Sequence, residues 1–391
     1  MPFSPLPLSY CTNVHPGRTL AEVEDGLDRY TVDIQRRFGH PLAAGLWLAQ
    51  PIIRELQSTP DAVAQFRDGL TRRGLTCHTL NAFPYGDFHS DRVKEQVYLP
   101  DWTDPRREGY TLHCAEVLAQ LLPPETDGSI STVPLGFKAL ADRPGFIETC
   151  IERLLNLTVA LDRLRQTTGR TIRLAIEPEP LCVLETTPEA IAFFEKLFAA
   201  AATQGIEPLA RNFLGLCYDV CHQAVEFEDV PASLRQLRSA GIRINKLHIS
   251  CAIHLDDPGR NAEGRAALAR YVEPRYLHQT FALLPDGGRI SATDLDADLA
   301  SAPPAEFANA TAWRIHFHVP VDSEALGPLR TTRPELRQAL ETIRDWDDAP
   351  HLEVETYTWE VLPDGGRPQL AEGFARELTA TRALLAEIAA R

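Results

Sequence analysis

The sequence predicts an α/β protein built as a (β/α)8 TIM barrel, with insertions in the loops that follow its strands. Two observations predict it. Short apolar runs alternate with amphipathic stretches along most of the chain, the pattern of a parallel sheet whose crossovers are helices. Five of these runs also end in carboxylates or imidazoles. IRLAIEPEP (172–180) delivers Glu177, LGLCYDVCH brings Asp219 and His222, and INKLHIS brings His248, while WRIHFHVP brings His316 and His318 and HLEVETYTW brings Glu353 and Glu355. In a barrel the C-terminal ends of the strands share one mouth, so residues remote in sequence converge there. A chain of 391 residues is long for a minimal barrel. We read it as one domain, 1–391, with 81–105 and 251–312 as excursions over that mouth.

Taken in order, SYCTNVH (9–15) alternates as a first strand and stops at His15-Pro16-Gly17, a turn signal. Leu20, Val23, Leu27, Tyr30 and Ile34 then recur at helical spacing between Thr19, an N-cap, and Gly39, a stop. AAGLWL (43–48) is strand two, 61–73 a helix, and LTCHTLN (75–81) strand three. The segment 81–105 exceeds the roughly 12–15 residues beyond which a loop is usually a lid or binding loop. Its Phe83, Tyr85, Phe88, His89, Tyr98 and Trp102 are expected to wall a substrate pocket or to pack the loop down, with Arg106 and Arg107 as anion contacts.

Helices are expected over 110–122, 145–166, 188–202, 231–240, 332–346 and 371–390. Strands are expected over 130–136, 172–180, 212–219, 244–250 and 351–358. WRIHFHVP makes nine strand-like runs where the barrel admits eight, so it reads as an inserted strand or as part of the seventh βα-loop.

Composition narrows the partners. With 54 acidic against 39 basic residues the formal charge is −15, which repels phosphate backbones and argues against nucleic acid. The first residues lack a basic leader with an apolar core, and no run reaches the roughly 18 apolar residues of a transmembrane span. The eight cysteines form no CxxC pair. These features are those of a cytoplasmic protein with reduced thiols acting on a small molecule.

Glu177, Asp219, His248 and Glu355 stand at successive strand ends, and carboxylate with imidazole is a donor set for Zn²⁺, Mn²⁺ or Fe²⁺. Asp219 and His222 lie three apart across a turn, and His316 and His318 share one face of an extended segment. His15 also closes a strand. Those four histidines are expected as further ligands, giving one to three ions. Lys246 lies two residues below His248, where a Lys–Glu pair low in the barrel explains it.

The order Glu, Asp-x-x-His, His, Glu on successive strands resembles the xylose isomerase-like TIM barrels, a superfamily of sugar isomerases, epimerases, dehydratases and endonuclease IV-type enzymes. LSYCTNVHPG, AIEPEP, CYDVCH, KLHIS and LEVETYTW together resemble the EboE family of metabolite traffic proteins. The superfamily resemblance implies that Glu177, Asp219, His248 and Glu355 bind metal beside His222, and that Glu177 and Glu355 exchange a substrate C–H proton. The extra histidines resemble its multinuclear branch. Three functions follow as expectations: a metal-dependent isomerase or epimerase of a sugar- or polyol-like metabolite, a multinuclear phosphoester hydrolase or iron-dependent oxidase, or a metabolite-binding protein.

Overall fold

Eight parallel strands close into a barrel in a computed structural model that describes residues 3–363 and 367–391. Seven of them come first in the chain: β1 (Ser9–Cys11), β2 (Ala43–Trp47), β3 (Thr79–Asn81), β4 (Gly128–Thr132), β5 (Ile172–Ile176), β6 (Leu214–Asp219) and β7 (Ile244–Ile249). An inserted antiparallel sheet of β8 (Ile253–Asp256), β9 (Thr280–Leu283), β10 (Arg289–Ala292), β11 (Ala312–Ile315), β12 (Ala325–Leu326) and β13 (Leu329–Thr331) follows. The eighth barrel strand, β14 (His351–Val354), then pairs with both β7 and β1 and closes the ring. Strands covered on both faces need apolar side chains throughout, which is why LGLCYD and INKLHI are buried at every position.

Helices cross over between the strands. The one at Thr187–Thr203 opens with a capping box between Thr186 and Glu189, and the one at Phe146–Thr168 stops at Gly169, whose φ of 71° is left-handed. Low in the barrel Lys246 pairs with Glu353 at 2.7 Å, both fully buried. Gly45 makes room for that pair, because a Cβ there would lie 1.5 Å from Glu353 Oε2.

The structure differs from expectation at several ends. β1 is short because Thr12–Val14 coil into a 3₁₀ turn, and β3 begins at Thr79, with residue 76 making one isolated bridge to Ala43. β4 lies earlier than 130–136, since Pro134 has no N–H to give a ladder. Helices at Gln50–Ser58 and Glu207–Phe213 were not expected. WRIHFHVP is outside the barrel: its first half is β11, paired with β8 and β9, and its histidines follow the strand. The inserted sheet also runs past residue 312, to Thr331.

Candidate metal centre and cavity

Glu177 follows β5, Asp219 ends β6, His248 lies in β7 and Glu355 follows β14, so four neighbouring strand ends present one donor atom each within 4.8 Å of one another. His248 Nδ1 stands at the middle, 2.8 Å from Glu355 Oε2, 3.1 Å from Glu177 Oε1 and 3.2 Å from Asp219 Oδ2. Each carboxylate is also anchored or left free in a particular way. Asp219 Oδ1 accepts from Ser250 Oγ at 2.7 Å and from the His222 backbone N–H at 3.0 Å, which turns Oδ2 to the centre. Glu355 Oε1 accepts from Asn13 Nδ2 at 3.0 Å and Asn81 Nδ2 at 3.3 Å. Glu177 Oε2 is buried with no partner.

Three buried carboxylates around one imidazole are an excess of negative charge in a dry place, and such groups are costly unless paired or bound to a cation. The nearby Lys246 is committed to Glu353. Although burial acts against it, the surrounding acidic groups, among them the Glu355 and Glu177 carboxylates, hold the His248 imidazole well above its ordinary pKa. A divalent cation fits this donor set, and the unpartnered Glu177 Oε2 is an oxygen left over for it.

Beside this cluster lie two overlapping groups, Asp219 with His222 and His318, and Glu179 with His222 and His316. Each of the three rings faces a group through Nδ1 that can only accept. His222 Nδ1 donates to Pro178 O at 2.9 Å, His318 Nδ1 to Glu355 O at 2.9 Å and His316 Nδ1 to Gln279 Oε1 at 2.7 Å. Their Nε2 atoms are thereby left as acceptors, the orientation seen in metal-bound histidine. His316 Nε2 and His318 Nε2 are 3.3 Å apart, a contact of two lone pairs that a cation relieves. Burial, joined by the neighbouring His222 and His318, keeps His316 well below its ordinary pKa, and burial lowers His318 also.

Glu179 was not singled out in the sequence because Pro178 interrupts the strand's alternation before it. Burial lifts its carboxyl to about 7 against the pull of His222, and Tyr98 Oη donates to it at 2.8 Å. Asn13, Asn81 and Gln279 were missed as well. Asn81 closes the third expected strand and Asn13 lies two residues before the end of the first, positions as informative for them as for the acids.

The other expected site residues lie elsewhere. His15 belongs to no donor group among the described residues: Nε2 meets Tyr10 Oη at 2.9 Å, the ring stacks on Tyr30, and burial lowers its pKa to about 3. The turn at Thr12–Val14 carries it away from the centre. Arg106 is exposed and pairs with Asp104 at the start of a helix, outside the cavity lining. Arg107, by contrast, is fully buried and donates to the carbonyls of Pro100, Ala82 and Phe83, which makes it a support of the loop. Trp102 is buried with Nε1 on Thr132 Oγ1, Tyr85 packs on Tyr110, and His89 holds Asn13 O at 2.7 Å. Phe83 lines the cavity over the cluster.

That cavity, with about 60 Å³ of free room, has Glu177, Glu179, His222, His316 and Glu355 as its floor. Phe83, Phe88, Val93, Val97, Tyr276 and Leu277 wall it. The walls come from both excursions, held together where the Val93 and Lys94 N–H groups donate to Arg275 O at 2.8 and 3.0 Å.

No family model matches the sequence, and no curated protein matches it. Solved structures do match the fold. A xylose isomerase-like TIM barrel protein from Mycobacterium smegmatis, in complex with magnesium, aligns with a TM-score of 0.52 at 13% identity, over 97% of this chain and 98% of that one. An L-ribulose 3-epimerase aligns with a TM-score of 0.48 at 11% identity, over 98% and 94%. A zinc-bound IOLI protein aligns with a TM-score of 0.45 at 10% identity, over 98% of each chain. The fold is a (β/α)8 barrel, similar to that of the xylose isomerase-like protein. The narrower likeness to EboE proteins finds no support among these matches.

Proposed function

We propose that this protein is a metal-dependent isomerase or epimerase of a small polyhydroxylated metabolite. The observation that carries the reading is a four-residue donor cluster of Glu177, Asp219, His248 and Glu355, of which the two glutamates reach the floor of a cavity and both lie within 3.1 Å of His248 Nδ1. These four residues would hold a Zn²⁺, Mn²⁺ or Fe²⁺ ion. When bound, such an ion polarises a carbonyl or hydroxyl and lowers the cost of negative charge beside it. Glu177, with Oε2 unpartnered, takes the proton from the substrate carbon, and Glu355, steadied by Asn13 and Asn81, returns it from the other side. The walls exclude water from the exchange.

The EboE-type role in metabolite traffic belongs to the same proposal and rests on the sequence motifs alone. So does a cytoplasmic location, which the eight buried, unpaired cysteines support. No helix of the described residues is long and apolar enough to cross a membrane. We take the partner to be a small molecule and not nucleic acid, on the strength of the net charge.

A second reading, a multinuclear hydrolase or oxidase, is favoured by one observation: the Nε2 acceptors of His316 and His318 beside the four-residue cluster. Deuterium incorporation separates the two. Metal-checked protein is incubated in deuterated water with ketoses, polyols and inososes; Glu177→Gln and Glu355→Gln should each slow exchange by at least ~10²-fold. Asp219→Asn should act chiefly through weaker metal binding. Unchanged exchange in both glutamine variants would defeat the assigned roles, and three ions per chain without exchange would favour the second reading.

A further inference from the structure

The cavity above the candidate metal centre is divided by chemistry. Its floor is polar and acidic, offering Glu177, Glu179 and Glu355 with the amides of Asn13 and Asn81. Its walls are not. Phe83, Phe88, Val93, Val97 and Leu277 present carbon only. Of the three tyrosines in the lining, Tyr98 Oη donates to Glu179 and Tyr276 Oη reaches Phe88 O at 3.4 Å, while the Tyr357 ring packs against Phe88, Tyr276 and His318 and its hydroxyl is the one polar group the walls offer.

Lys94 is the one lysine or arginine of the lining, and its charge is spent within the protein. Nζ donates to Tyr276 O at 2.8 Å and pairs with Asp294, and the side chain is buried. A phosphate or carboxylate lying against these walls would therefore meet no free lysine or arginine among the described residues. A hydroxyl against Val93, Val97 or Leu277 would lose its water and gain no partner, which is costly. An alkyl or aryl group in the same place would bury apolar surface instead.

We infer that the substrate is an uncharged, hydroxylated molecule that carries an apolar alkyl or aryl group, its hydroxyls on the acidic floor and its apolar group against Phe88, Val93, Val97 and Leu277. The inference rests on the proposed reading of the floor as the reacting end. It adds that a free sugar, a polyol or a sugar phosphate is an incomplete or wrong ligand. The free room in the cavity is about 60 Å³, so the apolar group is short.

Calorimetric titration of the full-length protein with methyl, propyl and hexyl β-D-glucoside tests the walls, with myo-inositol and glucose 6-phosphate as polar and anionic probes. Affinity should rise roughly threefold per buried methylene along the glucosides. Glucose 6-phosphate and myo-inositol should bind more weakly than the hexyl compound. Val97→Asp should abolish the gain from methyl to hexyl, and Val97→Arg, which supplies the missing cation, should raise the affinity for glucose 6-phosphate at least tenfold. Each titration is repeated after chelation. The gain along the series belongs to the walls and should survive metal removal, whereas metal content and deuterium exchange report on the floor. A flat series, including no binding of hexyl glucoside at millimolar concentration, overturns the inference. So does glucose 6-phosphate binding wild-type protein as tightly as the hexyl glucoside.

Discussion

The barrel and the inserted sheet each supply half of the histidines over the cavity, and they hold them by different means. His248 lies within β7, whose neighbours β6 and β14 are both hydrogen-bonded to it, and its partners Asp219 and Glu355 stand on or just beyond those neighbouring strands. His316 and His318 come just after β11, a strand of four residues, and are held by bonds to Gln279 and Glu355, while the next residue, Val319, donates its N–H to Cys251 O. The barrel fixes its donors through a closed ladder, whereas the insertion fixes its donors through a few side-chain contacts. Damage to the first should therefore spread through the fold, and damage to the second should stay local.

The largest effect is expected at the buried pair of the barrel. Lys246→Met leaves the Glu353 carboxylate, which Lys246 holds at about 2 against the cost of burial, without its cation. Breaking such a pair costs about 3–5 kcal/mol. Urea denaturation should show this loss with the whole transition moving, and a change under 1 kcal/mol (about a fivefold change in equilibrium) would show that the ring does not depend on the pair.

Glu377 sits at the junction of the two regions. On the closing helix, Arg367–Ala389, it accepts from Val321 N at 2.9 Å, Thr356 Oγ1 at 2.7 Å and Trp359 Nε1 at 2.8 Å. Burial outweighs these donors and lifts its carboxyl from 4.5 to about 7. Because the folded value is the higher one, its contribution to stability is complete below about 4.5 and is lost as the pH rises through about 7. The loss is of order 3 kcal/mol. Stability measured from pH 4 to 8 should fall across that window in the wild type, and the fall should be smaller by this amount in Glu377→Gln; parallel curves for the two proteins would remove Glu377 as the cause.

The contrast also explains what could be read from the sequence. Glu177, Asp219, His248 and Glu355 were legible because a parallel strand buried on both faces is an uninterrupted apolar run, and a charged residue at its end stands out. The inserted sheet gave no such signal: β10 is RISA, exposed or half-buried throughout, and β12 is two residues long. WRIHFHVP could be set outside the barrel only because it makes a ninth strand-like run, and its partners β8 and β9 could not be read from the sequence. Arg106 and Trp102 were weighed as pocket residues because composition says that a loop is aromatic and basic, but not which of its side chains turn inward. Arg107, next in sequence, is the one that does, and its three carbonyl partners could be found only by folding the loop.

A smaller and more local effect is expected at the inserted sheet's donors. Gln279→Leu removes the acceptor that orients His316 through Nδ1, and loss of such a partner typically weakens metal binding ~10–100-fold. His318→Gln removes an imidazole donor itself. Equilibrium dialysis with elemental analysis should show the ion of the four-residue cluster retained in both variants and a further ion weakened or lost. Full loss of metal in either would mean that the two groups form one indivisible site, and wild-type stoichiometry at every concentration would mean that the second group holds no ion.

The smallest effect on global stability is expected where the two excursions meet. Lys94 adopts a φ of 41°, unusual for a side chain with a Cβ, and is kept there by backbone bonds to Arg275 and by Nζ on Tyr276 O and Asp294. Lys94→Met keeps the aliphatic stem but removes every Nζ bond, while Asp294 Oδ1 still accepts from His278 N at 2.9 Å. The expected cost is about 1–2 kcal/mol, confined to the joint. Amide exchange should accelerate over 93–98 and 273–277, with β6, β7 and β14 as protected as before. Because the joint holds Val93, Val97, Tyr276 and Leu277 in place, the gain from methyl to hexyl glucoside should shrink in the same variant while the metal content of the barrel cluster stays unchanged. Exchange that accelerates equally in the barrel strands would show that the insertion is part of the same cooperative unit, and the difference drawn between the two regions would then fail.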